Sequence, residues 1–298
     1  MSKLTDEELI EELRNRFRMN REALKELQEL NRELKVVNKK LEESESLKSH
    51  FISNITNEII NPFTSILGLA KHILSVKKED WKTVISMVAL IHSEAFNLDF
   101  QLRNIFVAAK IEAGEIYPEI LNVDIKTLVT NVLESFKFEG KKKGLEFNLI
   151  IDIKPPIGRT FYFKTDPEKL RLILSNLLSN AIKFSFEKQK IELKVWVEKD
   201  MLKVAVVDLG AGITEDNQKK IFDRFKRLDS GINSINRGHG LGLSINKAIL
   251  DLLNGSIEIK SEIGKGSKFT ISIPEAKSDI AGFSTDGNEF LFDEEEIF

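Results

Sequence analysis

The chain is expected to fold as an α region followed by an α+β region: a long parallel coiled coil runs into a dimeric four-helix bundle, and an α/β sandwich follows. Three observations carry this expectation. Over residues 6–74 apolar residues recur at helical spacing, with Pro62 the single proline and no glycine before Gly68. A second apolar-faced run, residues 80–113, follows a short loop at 75–79. After Gly114 the pattern changes to short strands alternating with helices.

In the first run, Phe17, Leu24, Leu27, Leu34 and Leu41 fall with Asn20, Asn31 and Asn38 at heptad positions a and d, and Ile52, Ile55, Ile59 and Ile66 continue the register. Asn31 and Asn38 occupy a positions. Asparagines there pair across a parallel two-stranded seam, fixing register at some cost in stability, so a homodimer is expected. At a rise of ~1.5 Å per residue the helix would extend ~100 Å, too long for one globular domain. Glu45 and Lys48 put charges in the seam, a weak point where a signal from an upstream sensor would enter. Pro62 lacks a backbone donor and crowds the preceding turn, so a kink is expected. The second helix presents Val84, Val88, Ile91, Ala95, Leu98, Leu102, Ile105 and Ala109 on one face. Two such hairpins make the four-helix bundle.

Beyond Gly114, residues 123–143 read as mainly helical, 146–153 as a strand, 161–164 as a strand and 167–185 as a helix. Strands at 190–198 and 203–208, a glycine-rich region, a helix at 246–253 and strands at 256–261 and 267–273 complete the sandwich. The expected domains are a coiled-coil signalling helix at 1–45, a helical hairpin at 46–115, an α/β domain at 120–275 and a tail at 276–298. The last 20 residues hold Phe283, Phe290, Phe292 and Phe298 among seven acidic residues and no basic one, a composition that favours disorder.

Composition excludes several functions. Among 298 residues, 44 basic against 47 acidic side chains leave no basic stripe for nucleic acid. There is no cysteine, so disulfides and thiolate metal sites are out, which fits a cytoplasmic protein. Four scattered histidines make no metal centre. No run of 18 apolar residues exists, so no membrane span is expected.

Four features carry chemistry. On the 167–185 helix, Asn176, Asn180 and Lys183 stand at i, i+4 and i+7 and share a face. Amide oxygens suit a hard cation and an ammonium suits phosphate, although such a stripe alone is more often a solvated face. Asp208 ends a strand that runs into Leu209-Gly210-Ala211-Gly212, where a carboxylate can accept from an exocyclic amine and glycines let a planar base approach the backbone. Gly238, Gly240 and Gly242 open a helix whose backbone amides and positive end would face phosphates. Between them, Ile221-Phe222-Asp223-Arg224-Phe225-Lys226-Arg227 and the polar residues 229–237 read as a mobile lid.

In this order the four features resemble the ATP-binding domain shared by histidine kinases, Hsp90-type chaperones, gyrase and mismatch-repair ATPases. The Phe222/Phe225 segment and the preceding hairpin are most similar to the histidine kinase branch, over about residues 46–274. The resemblance implies ATP and Mg²⁺ as cofactors: Asn180 holds the metal with Asn176 nearby, Lys183 contacts phosphate and Asp208 bonds the adenine amine. It further implies that Gly210, Gly212, Gly238, Gly240 and Gly242 shape the loops, with Arg227 and Arg237 as further phosphate candidates.

The stretch Phe51-Ile-Ser-Asn-Ile-Thr-Asn-Glu-Ile-Ile-Asn-Pro62 resembles the phosphoacceptor box of two-component sensor histidine kinases. Thr56, Glu58, Asn61 and Pro62 match, but Asn57 stands in the acceptor place and Ile60 replaces the usual basic residue. An amide nitrogen lone pair is delocalised into its carbonyl and is a poor nucleophile, so Asn57 accepts no phosphoryl group. By the resemblance, Glu58 would serve as the general base and Asn61 would position water to dephosphorylate a response regulator receiver domain. His50 lies at the same heptad position f as Asn57, ~10 Å away along the axis, and lacks an acidic neighbour. His72 and His92 read as surface or bundle residues and His239 as part of the glycine loop. Three functional readings follow: a sensor kinase core whose acceptor was replaced, a pseudokinase that signals by conformation, and a response-regulator phosphatase. A coiled-coil scaffold with a structural nucleotide is the reading from another class.

Overall fold

The computed structural model describes residues 6–76, 80–153, 161–223, 240–277 and 283–284. It divides into two compact units, Met1–Asn54 and Ile55–Phe298. The first unit consists of the N-terminal part of helix α1 (Asp6–Ile73). Its expected seam positions Phe17, Leu24, Leu27, Leu34 and Leu41 are all solvent-exposed in the single chain. The helix is assigned without interruption through Pro62, which is buried.

In the second unit, α2 (Trp81–Ala113) starts where Asp80 accepts from the Thr83 N–H and hydroxyl. It stops at Gly114, whose φ of +69° lets the Gly114 and Glu115 N–H groups donate back to Ile111 and Lys110 carbonyls. β1 (Leu121–Asp124) and α3 (Ile125–Lys142) follow. The sequence pattern merged them into one helix. β1 is four residues long and abuts the α3 N-cap Asp124, so period-2 alternation has no room to show.

β2 (Glu146–Asp152), β3 (Tyr162–Thr165), α4 (Pro167–Phe184), β4 (Lys190–Glu198), β5 (Met201–Asp208) and the short α5 (Glu215–Gln218) come next. α6 (Gly242–Leu252), β6 (Ser256–Glu262) and β7 (Gly266–Pro274) complete the sandwich. α6 begins at Gly242, where the glycine motif is expected to open a helix and four residues before the apolar period at 246–253. The strands form a mixed five-stranded sheet in the order β2-β4-β5-β7-β6, with β2 and β4 parallel and the other pairs antiparallel.

One sheet face supplies Leu193, Val195, Leu202, Val204, Ile271 and Ile273 to the core, while the alternate residues Lys194, Lys203 and Lys268 lie on the other face. Helices α3, α4 and α6 add Val129, Leu170, Ile173, Leu174, Leu178 and Ile249, each essentially fully buried. α4 owes its start to Asp166, which accepts from Lys169 N–H, and to Pro167 in its first turn. A second small sheet orders β3-β1-β8, where β8 (Phe283–Ser284) pairs in parallel with β1. A strand inside the acidic tail departs from the expectation of disorder there, and residues 285–298 lie outside the described ones. β1 offers an edge with unpaired backbone groups, and the tail supplies the missing ladder.

α2 packs on α3. Phe96 and Phe100 meet the Phe136 ring edge-on at 5.3 and 6.1 Å between centroids. Beside them, buried Ser93 donates to Glu139 and accepts from Lys142, which also pairs with Glu139. No helix among the described residues is long and apolar enough to cross a membrane.

Phe136→Ala removes a buried ring shared by α2 and α3, and should cost ~3–5 kcal/mol in urea unfolding. Amide exchange at Phe96 and Phe100 should accelerate in step. Unchanged exchange there would show that α2 is held by something other than this aromatic cluster.

Candidate functional site

The site is built where β5 leaves the sheet. Asp208 is the last residue of β5 and is buried. The turn after it is pressed against its neighbours. A Cβ on Gly210 would stand 2.0 Å from the Phe184 carbonyl oxygen, and Gly210 bridges to Ser185 at the end of α4. Gly212 has φ +70°, and a Cβ there would lie 2.0 Å from the Glu262 carbonyl oxygen. Gly266, with φ +96°, approaches the Asp208 carbonyl just as closely. Only glycine fits at these three positions, for space and in two of them for backbone angle as well.

The carboxylate of Asp208 sits in this dense setting with its Oδ1 buried and, among the described residues, without a hydrogen-bond partner. Burial pushes its pKa up to about 6, against the opposing pull of the Ser267 and Gly210 backbone N–H groups. A buried acceptor left unpaired costs about 1–3 kcal/mol. The oxygen is therefore an acceptor without a donor in a turn whose glycines are closely packed.

The three polar residues of α4 separate. Asn176 is buried, and its Nδ2 donates to Asn246 Oδ1 at 2.8 Å and to the Gly242 carbonyl at 3.3 Å. Asn246, fully buried, in turn donates to the Ile173 carbonyl at 3.2 Å. The Asn176 amide nitrogen thus ties α4 to the start of α6, a role that the shared-face argument did not foresee. Asn180 and Lys183 are half-buried on the same helix. Lys183 Nζ lies 5.2 Å from the Phe184 ring centroid.

Across from them, α6 opens after Gly240 (φ +68°) and Leu241. Leu241 at the N-cap offers no side-chain acceptor, so the first amides of α6 are not capped by it. Gly242 packs on Asn176, where a Cβ would come within 3.2 Å of the amide oxygen. Arg227, Arg237, Gly238, His239 and Phe225 lie outside the described residues, while Phe222 is half-buried. Asn57 and Glu58 fall in α1 with side chains outside the described set, and Asn61 is exposed, as are His72 and His92.

Several supporting residues escaped the sequence reading. Lys143 donates to the carbonyls of Ile182 at 3.0 Å and Lys183 at 2.8 Å, capping the C-terminal end of α4. Desolvation lowers its pKa, partly offset by the charge of Glu187. In sequence it is one of three consecutive lysines, a pattern that reads as solvated charge. Ser261 accepts from Ile213 N–H and donates to the Gly266 carbonyl, and Gln218 donates to the carbonyls of Ile213 and Ser261. These bonds fix the loop after Gly212. No run or spacing flags them.

Residues 165–277, which contain Asp208, the glycine turn and the polar residues of α4, match the family described as Histidine kinase-, DNA gyrase B-, and HSP90-like ATPase. The chain is 32% identical over 235 residues to the circadian input-output histidine kinase CikA of Synechococcus elongatus, covering 76% of this chain and 30% of that protein. It is 30% identical over 263 residues to the signal transduction histidine-protein kinase BarA of Escherichia coli, covering 85% of this chain and 27% of that one. The chain thus spans less than a third of the length of these relatives. In fold it is similar to full-length ShkA, solved in complex with AMPPNP, with a TM-score of 0.54 and 24% identity over 79% of this chain and 47% of that one.

Because folding raises the Asp208 pKa from 3.8 to about 6, its protonated form favours the folded state. That contribution is fully present below the unfolded value and is lost as pH rises through about 6. Asp208→Asn should flatten the fall in stability across this window, followed by urea midpoints at stepped pH. A slope in the variant equal to that of the parent would assign the titration to another group.

Proposed function

Because the chain belongs to the two-component sensor histidine kinase family, we propose that it is the ATP-binding core of such a kinase, with Asn57 standing where the phosphoacceptor histidine would be. The observation that carries this reading is the buried Oδ1 of Asp208, without a partner among the described residues, beside a glycine turn in which no side chain intervenes. An adenine amine donating to it would satisfy the orphan acceptor. Asn180 offers an amide oxygen for Mg²⁺, and Lys183 and the opening amides of α6 offer positive charge to the phosphates. Arg227, Gly238 and Arg237 belong to the same reading on sequence grounds, while Asn176 and Gly242 support it by locking α4 to α6.

The bound nucleotide would supply a phosphoryl group near residue 57, and the side chain there cannot take it up. A neutral carboxamide has no nitrogen lone pair free for attack. Glu58, placed to accept a proton from a neighbouring histidine, has no proton to accept. The chain would then bind ATP without phosphorylating itself at this position. The exposure of Asn61 favours a second activity, in which its amide orients water toward a phosphorylated receiver domain of a response regulator docked on the hairpin.

The exposed apolar residues at the heptad seam of the first unit favour pairing with a second copy as a parallel coiled coil, extended by the hairpin into a four-helix bundle. The functional division is a signalling helix at 1–45, a hairpin at 46–115, an ATP-binding domain at 120–275 and a tail at 276–298. A need for ATP and a cysteine-free composition fit the cytoplasm.

Restoring Asn57→His and incubating with radiolabelled ATP and Mg²⁺ should give acid-labile, base-stable label that the parent chain lacks. If the restored protein stays unlabelled while still binding ATP, the chain is a pseudokinase rather than a kinase core with a replaced acceptor. Asp208→Asn should weaken ATP binding by roughly 10- to 100-fold, the worth of a hydrogen bond to a charged group at about 1.5–3 kcal/mol. ATP affinity of the parent should rise with pH through about 6 and then level, since the base is recognised by the ionised carboxylate. Full affinity in the Asp208→Asn variant would remove the adenine assignment. Asn61→Ala should slow loss of phosphate from a phosphorylated receiver domain about tenfold or more, and equal rates would dismiss the phosphatase reading.

A further inference from the structure

A cleft of about 420 Å³ lies between α2, the residues that follow it, α3 and α4. Asp208, Asn180 and Lys183 do not line it. Its volume is within the range of clefts that anchor small ligands or side chains. Phe96, Phe100 and Tyr117 give it aromatic walls, and Arg103, Lys110 and Arg171 give it positive charge.

The charges are unevenly matched. Among the described residues, Nε and Nη2 of Arg171 are buried without a hydrogen-bond partner, and Glu168 Oε1 approaches Nε at 3.7 Å. Glu168 also faces Arg103, at 3.8 Å, so the carboxylate nearest Arg171 is shared with a second guanidinium group. Asp99 is taken by Arg103, and Asp166 by Lys169 and the Glu119 N–H. Exposed Glu115 and Glu119 are the remaining acids of the rim. A half-buried guanidinium with two nitrogens lacking acceptors among the described residues calls for an acidic neighbour.

The chain carries a segment with that chemistry close by. β8 places Phe283 and Ser284 alongside Asn122 and Val123 of β1, only a few residues after the rim residues 115–119. Residues 285–298 follow directly, with six acidic side chains, no basic one, and Phe290, Phe292 and Phe298. Fourteen residues reach up to ~45 Å when extended, ample for a return to the cleft. In an extended strand Phe290 and Phe292 would share one side, with the run Asp293-Glu294-Glu295-Glu296 directly after them.

We infer that the segment 285–298 is an intramolecular ligand of this cleft, with Phe290 and Phe292 seated among Phe96, Phe100 and Tyr117 and the acidic run meeting Arg103, Lys110 and Arg171. The β8 strand anchors it and raises its effective concentration at the cleft. Since α2 forms one wall and α3 and α4 the other, the bound tail fastens α2 to the ATP-binding domain. The inference does not depend on whether nucleotide binds.

A fluorescein-labelled peptide of residues 285–298 titrated into a chain ending at Ser284 should show saturable one-to-one binding by anisotropy. Replacing Phe290 and Phe292 of the peptide by Ala should weaken it at least tenfold, a comparison that leaves the folded protein untouched. Arg171→Gln in the chain should also weaken it, with refolding checked by its unfolding midpoint. The full-length chain should bind the peptide far less well, because its own tail occupies the cleft. No saturable binding, equal binding of the Ala peptide, or equal binding by the full-length chain would overturn the inference. Hydrogen-exchange protection of residues 96–107 that rises with protein concentration in the full chain would place the tail of a second copy there and overturn the intramolecular assignment.

Discussion

The close approach of backbone to backbone at Gly210, Gly212 and Gly266 is the constraint on which the candidate site depends. At each of them an added Cβ would come within 2.0 Å of a carbonyl oxygen. Without these contacts the end of β5 could not lie against both the end of α4 and the β6–β7 turn. Asp208 would then regain water and lose its raised pKa. The same crowding that buries the carboxylate leaves its Oδ1 without a partner among the described residues. A stability cost is thereby placed where a ligand donor can remove it, and such local conflict is expected at functional positions.

Around that point the helices are held by polar ties inside an apolar core. Asn176 and Asn246 form a chain of hydrogen bonds from the Ile173 carbonyl to Gly242, buried except at the Gly242 end. Hydrogen-bonded buried amides define one relative placement of two helices, because any slip strands a donor. Lys143 does comparable work at the other end of α4, where it closes two carbonyls. The half-buried Asn180 and Lys183 lie on the C-terminal half of α4, so the groups proposed for metal and phosphate stand on a stretch tied at its middle by Asn176 and at its end by Lys143.

The family chemistry and the chain's own residue 57 pull in different directions. In the reading proposed above, a domain with its glycine turns, buried carboxylate and helix start in place is coupled to a hairpin whose acceptor position would hold a carboxamide. On physical grounds that combination permits nucleotide binding and conformational signalling, and it retains an exposed Asn61. It does not permit phosphotransfer through Asn57. The cleft against α2 adds a site where the same chain could restrain the domain that binds nucleotide.

Periodicity and punctuation determined much of this protein. The long helix, the hairpin, most strands and the order of the glycine motifs are local signals, because spacing and turn residues act within a few positions. The heptad pattern of Phe17, Leu24 and Leu34 is likewise legible without a partner in view. The merging of β1 with α3 shows where local signals end: a four-residue strand beside a helix cap has no period of its own. Tertiary structure alone decided that Asn176 turns to α6 while Asn180 stays half-exposed, although both occupy one helix face. It also decided that Lys143 caps α4, that Asp208 keeps an orphan oxygen, and that Phe283 extends a sheet edge. These roles depend on which distant backbone comes within hydrogen-bonding reach, and that distance is set by the packed core.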